Sequence, residues 1–235
     1  MDIEGSRVLV AGATGVLGGA ITAELVTRGA RPVLAGRDPV RLAAAARREG
    51  AHAVSFDAYD PSSCARVVQD AATALGGLDA VVTAFGAVAF GEAGEVGDEV
   101  AEYLMAVDYL APAAFFRAAL GIMEPGSMLA AVTGVVAEHP QPGMADYSAS
   151  KAALSAWLGA VRREARGIGI GVLDVRPGHL DTGFAGRAVA GAAPALPAGA
   201  DMQKLVSAVV DALSSGAELV RTAPDGTPVI ERRAR

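Results

Sequence analysis

The chain has 235 residues, 52% of them hydrophobic, which suits one large α/β domain, residues 1–235, with a sizeable buried core. Its formal net charge of -6 speaks against nucleic-acid and anionic-membrane partners, since both require a concentrated positive surface. A single cysteine, Cys64, rules out an intramolecular disulfide and a cysteine-based metal cluster, and no group of histidines and carboxylates has a metal-ligand spacing, so no metal is expected. The acidic start Met1-Asp2-Ile3-Glu4-Gly5 lacks the basic and apolar regions of a signal peptide. No apolar run reaches the roughly 18 to 20 residues of a bilayer span, and a reducing, cytoplasmic setting is expected.

In chain order, short apolar or β-branched runs alternate with Ala-rich stretches of helical length. Strands are predicted at Arg7 to Ala11, Pro32 to Ala35, His52 to Phe56, Ala80 to Thr83, Met128 to Thr133 and Gly171 to Val175. Helices are predicted at Val16 to Arg28, Pro39 to Glu49, Ser62 to Leu75, in two pieces within Asp98 to Ile122, and at Tyr147 to Arg166. This rhythm describes a single-domain Rossmann fold, a doubly wound parallel sheet of six or seven strands with helices on both faces. Ala185 to Ala200 is rich in Gly, Ala and Pro and follows the sixth strand. It therefore lies at the carboxyl edge where such sheets bind ligands, and residues 183–202 read as a substrate lid or an ordinary surface loop. The tail carries the turn signal Pro224-Asp225-Gly226-Thr227, which predicts a hairpin or, alternatively, a seventh parallel strand at Glu218 to Thr222.

The first strand runs into Gly12-Ala13-Thr14-Gly15-Val16-Leu17-Gly18-Gly19 and then a helix, the context of a dinucleotide site. Glycine allows the tight turn and a close approach of backbone to pyrophosphate, while the helix N-terminus offers free N–H groups and a partial positive charge. At the end of the second strand, an acid grips the ribose hydroxyls of NAD and an arginine suits the 2′-phosphate of NADP. Arg37 stands there, followed by Asp38, so NADP(H) is favoured over NAD(H). Arg41 lies one turn further on, within reach of the same phosphate, although a solvated surface role is the simpler expectation. Asp57, just past the third strand, reads as an acceptor for the adenine amino group or as a turn former.

Tyr147-Ser148-Ala149-Ser150-Lys151 places one of only two lysines four residues after a tyrosine, on one face of a helix. A cation beside a phenol favours the phenolate and brings its titration toward the neutral range, where it can work as an acid or base. Chance supplies such a pair about 3 times in 100, so its weight depends on its surroundings.

Those surroundings resemble the short-chain dehydrogenase/reductase family from about Arg7 to Phe184: a Gly-rich turn, Tyr-x-x-x-Lys at Tyr147 and Lys151, and Arg176-Pro177-Gly178 followed by Thr182. The resemblance implies that Tyr147 is the catalytic acid/base, and that Lys151 binds the nicotinamide ribose and lowers the tyrosine's pKa. It implies that Pro177, Gly178, Leu180 and Thr182 hold the carboxamide, and that Gly86 closes the segment matching the family's Asn-Asn-Ala-Gly, here Thr83-Ala84-Phe85-Gly86. The family's catalytic serine aligns with Thr133, at the cost of one extra residue before Tyr147; strict spacing puts Gly134 there and leaves no hydroxyl. Its helix asparagine aligns with Asp108, which would either tune a proton relay or draw Lys151 away from Tyr147. A homodimer or homotetramer is implied as well.

The expected activity is hydride transfer between NADP(H) and a ketone or secondary alcohol, in a pocket lined by Phe85, Val88, Val135, Met144 and Phe184. A catalytically silent NADP-binding regulator is the alternative class. The spacing of Gly12, Gly15 and Gly18 also admits an epimerase or dehydratase using bound nucleotide, against which the short chain after Thr182 argues.

Overall fold

Val8-Leu9-Val10-Ala11 has no exposed face. Val8 and Val10 enter one apolar layer and Leu9 and Ala11 another, as period-two alternation requires of a strand covered on both sides. The structure, a computed structural model, describes residues 1–232. In chain order its elements are β1 (Arg7–Ala11), α1 (Val16–Thr27), β2 (Arg31–Gly36), α2 (Pro39–Glu49), β3 (His52–Ser55), α3 (Pro61–Leu75), β4 (Ala80–Thr83), α4 (Asp98–Met105), α5 (Ala111–Leu120), β5 (Met128–Val132), α6 (Ala145–Ala165), β6 (Gly171–Arg176), α7 (Met202–Ser215), β7 (Leu219–Thr222) and β8 (Pro228–Glu231). The sheet order is β3-β2-β1-β4-β5-β6-β7-β8, parallel throughout except for β8. Helices α1, α2 and α7 cover one face, and α3, α5 and α6 the other.

Strand order reverses between β1 and β4, where Ala11 pairs with Thr83, and the crevice beyond the carboxyl ends of these two strands is the ligand position of a doubly wound sheet. The predicted fold class and all six predicted strands are present, with ends shifted by a residue at most. The sheet has eight strands rather than six or seven, because both readings of the tail are realised: β7 joins in parallel and then turns back as a hairpin with β8. Helix α7 was not foreseen. Its signal is present in Asp201, whose carboxylate caps the helix by accepting from the Lys204 N–H, and in the buried stripe Leu205, Val206, Val209, Val210 and Leu213.

Helices α4 and α5 are joined without a break by a π-turn, Ala106–Leu110. The continuous helix Asp98–Leu120 is 23 residues long and contains an 18-residue window of mean hydropathy 1.2, so the expectation that no run reaches spanning length does not hold. The apolar character serves the core. Phe115 and Phe116 are fully buried, and Phe115 meets Phe56 edge-on at 5.1 Å and Phe85 at 5.9 Å. Truncation of Phe115 to alanine should therefore cost about 3–5 kcal/mol of stability, read as a lower urea midpoint with an unchanged slope.

Candidate active site

The turn after β1 is built by close approach. A Cβ on Gly12 would lie 2.6 Å from the Ala84 carbonyl oxygen, and one on Gly18 would lie 2.3 Å from the Gly12 carbonyl oxygen. Only glycine lets strand, turn and helix come this near, and Gly12 also has a φ of +92°. Gly15 precedes α1 without a side-chain cap, and the first turn of that helix holds no acid. The N–H groups of Val16 and Leu17 and the positive end of α1 are therefore left for an anion. These features fit the pyrophosphate of a dinucleotide.

Asp38, the acid beside Arg37, is committed to α2. Its Oδ1 accepts from the N–H groups of Val40 at 2.9 Å and Arg41 at 3.1 Å. Arg37 is exposed, and Arg41 reaches back to donate from Nη2 to the Thr14 carbonyl at 2.9 Å. The Arg41 guanidinium thus lies on the turn while the residue stays exposed, as expected of a surface arginine. Asp57 forms the turn: its Oδ1 accepts from the Tyr59 N–H at 2.9 Å. Cys64 lies beneath, its thiol pushed up to about 12 by burial, and has no reactive character.

Tyr147 and Lys151 occupy the first two turns of α6, with the Lys151 ammonium 5.8 Å from the phenol ring centroid. The lysine is 4% exposed and is paired at 3.1 Å with Asp108 Oδ1, whose residue is fully buried. Asp108 also accepts from the Ala87 N–H at 3.0 Å and, through Oδ2, from the Ser150 hydroxyl at 3.3 Å. Its place on the π-turn brings it there, a widening of the helix that recurs at functional sites. A Cβ on Gly86 would meet Asp108 Oδ1 at 2.6 Å and Lys151 Nζ at 3.0 Å, so the loop after β4 packs onto the ion pair only because residue 86 has no side chain.

The lowering of the Tyr147 phenol expected from Lys151 is opposed first by burial. Burial holds the Tyr147 phenol above its ordinary value, and the Asp108 carboxylate adds to the shift. Burial also raises Asp108, against the pull of Lys151 and its hydrogen-bond donors. The lysine's charge is answered by the aspartate before it reaches the tyrosine.

The structure turns Thr133 away from the expected role. Its hydroxyl donates to Asp174 Oδ1 at 2.5 Å, and the residue is 1% exposed. A buried carboxylate is a stronger acceptor than a substrate carbonyl, and Asp174 is completed by Ser155 and Arg176, each at 2.8 Å to its Oδ2. Gly134, at the position that strict spacing indicates, has a φ of +99°. Phe85, half-exposed, packs with Phe56 at 5.0 Å, Phe184 lies 6.4 Å from the Tyr147 ring, and Met144 lines the cleft beside it.

The segment after β6 folds over this site as a strap. Gly178 N–H donates to the Thr222 hydroxyl at 3.0 Å, and Leu180 is buried with Thr182 just beyond. Ala200 N–H closes the strap's base onto the His179 carbonyl at 2.8 Å. Its middle is laid along the loop after β4, with Val189 donating to Val88 and Phe90 donating to Ala190. Within 183–200 the only polar side chain is Arg187.

A doubly wound sheet, a glycine turn at its switch point and a Tyr-x-x-x-Lys pair beside that turn define a nucleotide-dependent oxidoreductase. The short chain dehydrogenase model matches residues 6–192, and the chain belongs to that family. Among its relatives, the cyclic-di-GMP-binding biofilm dispersal mediator protein of Escherichia coli is 32% identical over 182 residues, 76% of this chain and 74% of that one. The hydroxysteroid 11-beta-dehydrogenase 1-like protein of Gallus gallus is 34% identical over 173 residues, covering 69% of this chain and 59% of the relative. A short chain dehydrogenase from Burkholderia cenocepacia in complex with NADP superposes with a TM-score of 0.80 at 25% identity, over 91% of this chain and 92% of that one. One from Burkholderia phymatum in complex with NAD shares the fold, with a TM-score of 0.85 at 19% identity, over 96% and 91%. Nicotinamide cofactors of both kinds thus occur among the structural neighbours.

Thr133→Val should lower stability by about 1.5–3 kcal/mol in denaturant titration, since it leaves a buried carboxylate short of a donor, while Thr133→Ser should retain most of it.

Proposed function

We propose that the protein is an NADP(H)-dependent oxidoreductase interconverting an apolar ketone and its secondary alcohol. The observation that carries this reading is the packing of the Tyr147 and Lys151 pair beneath Gly86 on the loop that meets the glycine turn at Ala84, beside a strap almost free of polar side chains. On this reading the N–H groups of Val16 and Leu17, with Gly12, Thr14, Gly15 and Gly18 shaping the turn, hold the pyrophosphate. Arg37 and Arg41 hold the 2′-phosphate, and Asp38 offers no competing grip on the ribose because α2 has claimed it. Lys151 faces the nicotinamide ribose, and the Pro177, Gly178, Leu180 and Thr182 segment the carboxamide. Bound there, a nicotinamide supplies or accepts the hydride at the substrate carbon.

Tyr147 acts on the oxygen. In reduction its O–H gives a proton to the carbonyl oxygen as the carbon is reduced, and the phenolate recovers a proton from solvent; oxidation is the reverse. With Thr133 bonded to Asp174, Tyr147 is the hydroxyl that meets the substrate oxygen. Residues 183–202 act as the lid, releasing Val88 and Phe90 when substrate enters.

A second reading, a nucleotide-binding regulator without turnover, is favoured by the commitment of Thr133 to Asp174 and of Lys151 to Asp108. The Escherichia coli relative, named for ligand binding and mediation, points the same way. A panel of apolar ketones with NADPH separates the two. The first reading expects turnover that falls about 10²- to 10⁴-fold in Tyr147→Phe; nucleotide binding with no turnover on any ketone selects the second. Arg37→Ala should weaken NADPH binding on the order of tenfold, with little effect on NADH. Equal losses for both nucleotides would remove Arg37 from the 2′-phosphate.

A further inference from the structure

A carbonyl oxygen gathers negative charge as its carbon takes up hydride, and a hydrogen-bond donor aimed at that oxygen is worth about 10²- to 10³-fold in rate. Around Tyr147 the other donors are already engaged. The Thr133 hydroxyl donates to Asp174, and its next acceptor is the Val175 carbonyl at 3.4 Å, both on β6. The Ser150 hydroxyl lies 2.8 Å from the Tyr147 carbonyl and 3.3 Å from Asp108. The Ser148 hydroxyl accepts from the Gln141 N–H and is 1% exposed, and Lys151 is paired with Asp108. Beside Tyr147 the cleft is walled by Ala89, Gly91, Val96, Gly143 and Met144. Among the described residues that line it, the one polar side chain besides Tyr147 is the Asp146 carboxylate, which has no hydrogen to give.

The end of β5 is built so that no hydroxyl turns toward that cleft. The N–H groups of Thr133 and Gly134 both donate to the Val175 carbonyl, at 2.9 and 3.3 Å, which draws the chain leaving β5 back onto β6. Asp174, also bonded to Ser155 and Arg176, then holds the Thr133 side chain. Gly134 follows with φ +99° and ψ 159°, a conformation that glycine alone adopts readily. A Cβ there would find nothing nearer than Val136 Cγ2 at 3.8 Å. Space is open at this position, and the backbone rather than crowding keeps it without a side chain.

We propose that the substrate is a ketone activated by a second carbonyl on the adjacent carbon, an apolar vicinal diketone, which this site reduces to the α-hydroxyketone with Tyr147 as the one donor to the reacting oxygen. The proposal rests on the oxidoreductase reading above and on Tyr147 acting as its acid. In the step, the reacting carbon gains the hydride supplied by NADPH and its C=O π bond breaks. The oxygen takes the proton of the Tyr147 hydroxyl, and solvent returns a proton to the phenolate, so that one NADPH is oxidised per diketone reduced. The neighbouring carbonyl withdraws electron density from the reacting one, and the substrate itself thereby carries part of the charge that a second donor would stabilise. The strap, with Arg187 as the only polar side chain within 183–200, fits apolar groups on either side of the two carbonyls. The product has lost the activation: its remaining carbonyl stands beside a hydroxyl-bearing carbon, and reduction stops there.

Two matched pairs of different bulk test this with NADPH: diacetyl against butanone, and benzil against deoxybenzoin, where in each pair a methylene replaces one carbonyl. Borohydride reduction of the same compounds gives the preference that belongs to the ketones alone. The ratio of kcat/KM, diketone over monoketone, is expected to exceed the borohydride ratio by about 10²-fold or more. NADPH consumption should end at one equivalent, with acetoin or benzoin as the product. A ratio no greater than that of borohydride overturns the proposal and leaves the oxidoreductase reading standing, as does a second equivalent consumed as fast as the first. Thr133→Val, shown to be folded by circular dichroism, should keep diketone turnover within about threefold of wild type. A loss of about 10²-fold in that folded variant would make Thr133 a donor to the substrate and overturn the proposal as well. Should the variant not fold, the wild-type ratio and the stoichiometry decide. If NADPH binds and none of the four compounds turns over, the oxidoreductase reading falls and the proposal with it.

Discussion

Everything at the carboxyl edge depends on how closely three pieces of backbone meet beside β1. The Gly12 carbonyl is held against α1 at Gly18, and Gly12 itself against the chain leaving β4 at Ala84. Without side chains in the way, the crevice between β1 and β4 narrows until the helix terminus and the β4 loop line one space. Gly86 is the next consequence, since the loop fixed by Ala84 then passes directly over the Asp108 and Lys151 pair. The glycine turn and the buried Asp108 and Lys151 pair are thus coupled through three residues of backbone.

Two buried carboxylates organise the far side of the site in different ways. Asp174 binds strand to helix: it gathers Thr133 from the end of β5, Ser155 from α6 and Arg176 from its own strand. Asp108 gathers Lys151, Ser150 and Ala87, and so joins the π-turn, α6 and the β4 loop. The first makes a rigid seam between β5 and β6. The second makes an electrostatic one, in which a lysine and a tyrosine one helical turn apart are joined by packing and separated in charge.

The fold was legible because its signals are local and repeated: apolar runs buried on both faces, Pro39 and Pro61 at helix starts, glycine where helices end in the left-handed region. The glycine turn and the Tyr147, Lys151 pair were legible for the same reason, each within a few residues of chain. What could not be read depends on tertiary partners. Thr133 lies where a hydroxyl is wanted, yet its direction is decided by Asp174, 41 residues on. The spacing of Lys151 from Tyr147 describes their distance but not the charge 43 positions earlier that changes what the distance means. Asp38 was ambiguous until the helix behind it accepted its carboxylate as a cap, and Arg41 until its guanidinium was seen folded back on Thr14.

The strap across the site is held down by backbone hydrogen bonds and offers almost nothing but carbon toward its neighbours. A wall of that kind sorts molecules by bulk alone. One methylene in an apolar enclosure is worth about 1–3 kcal/mol, whereas a missing hydrogen-bond partner can be worth several orders of magnitude in selectivity. A site enclosed this way grades a homologous series of apolar molecules smoothly and has no means of singling out one member by its polar groups.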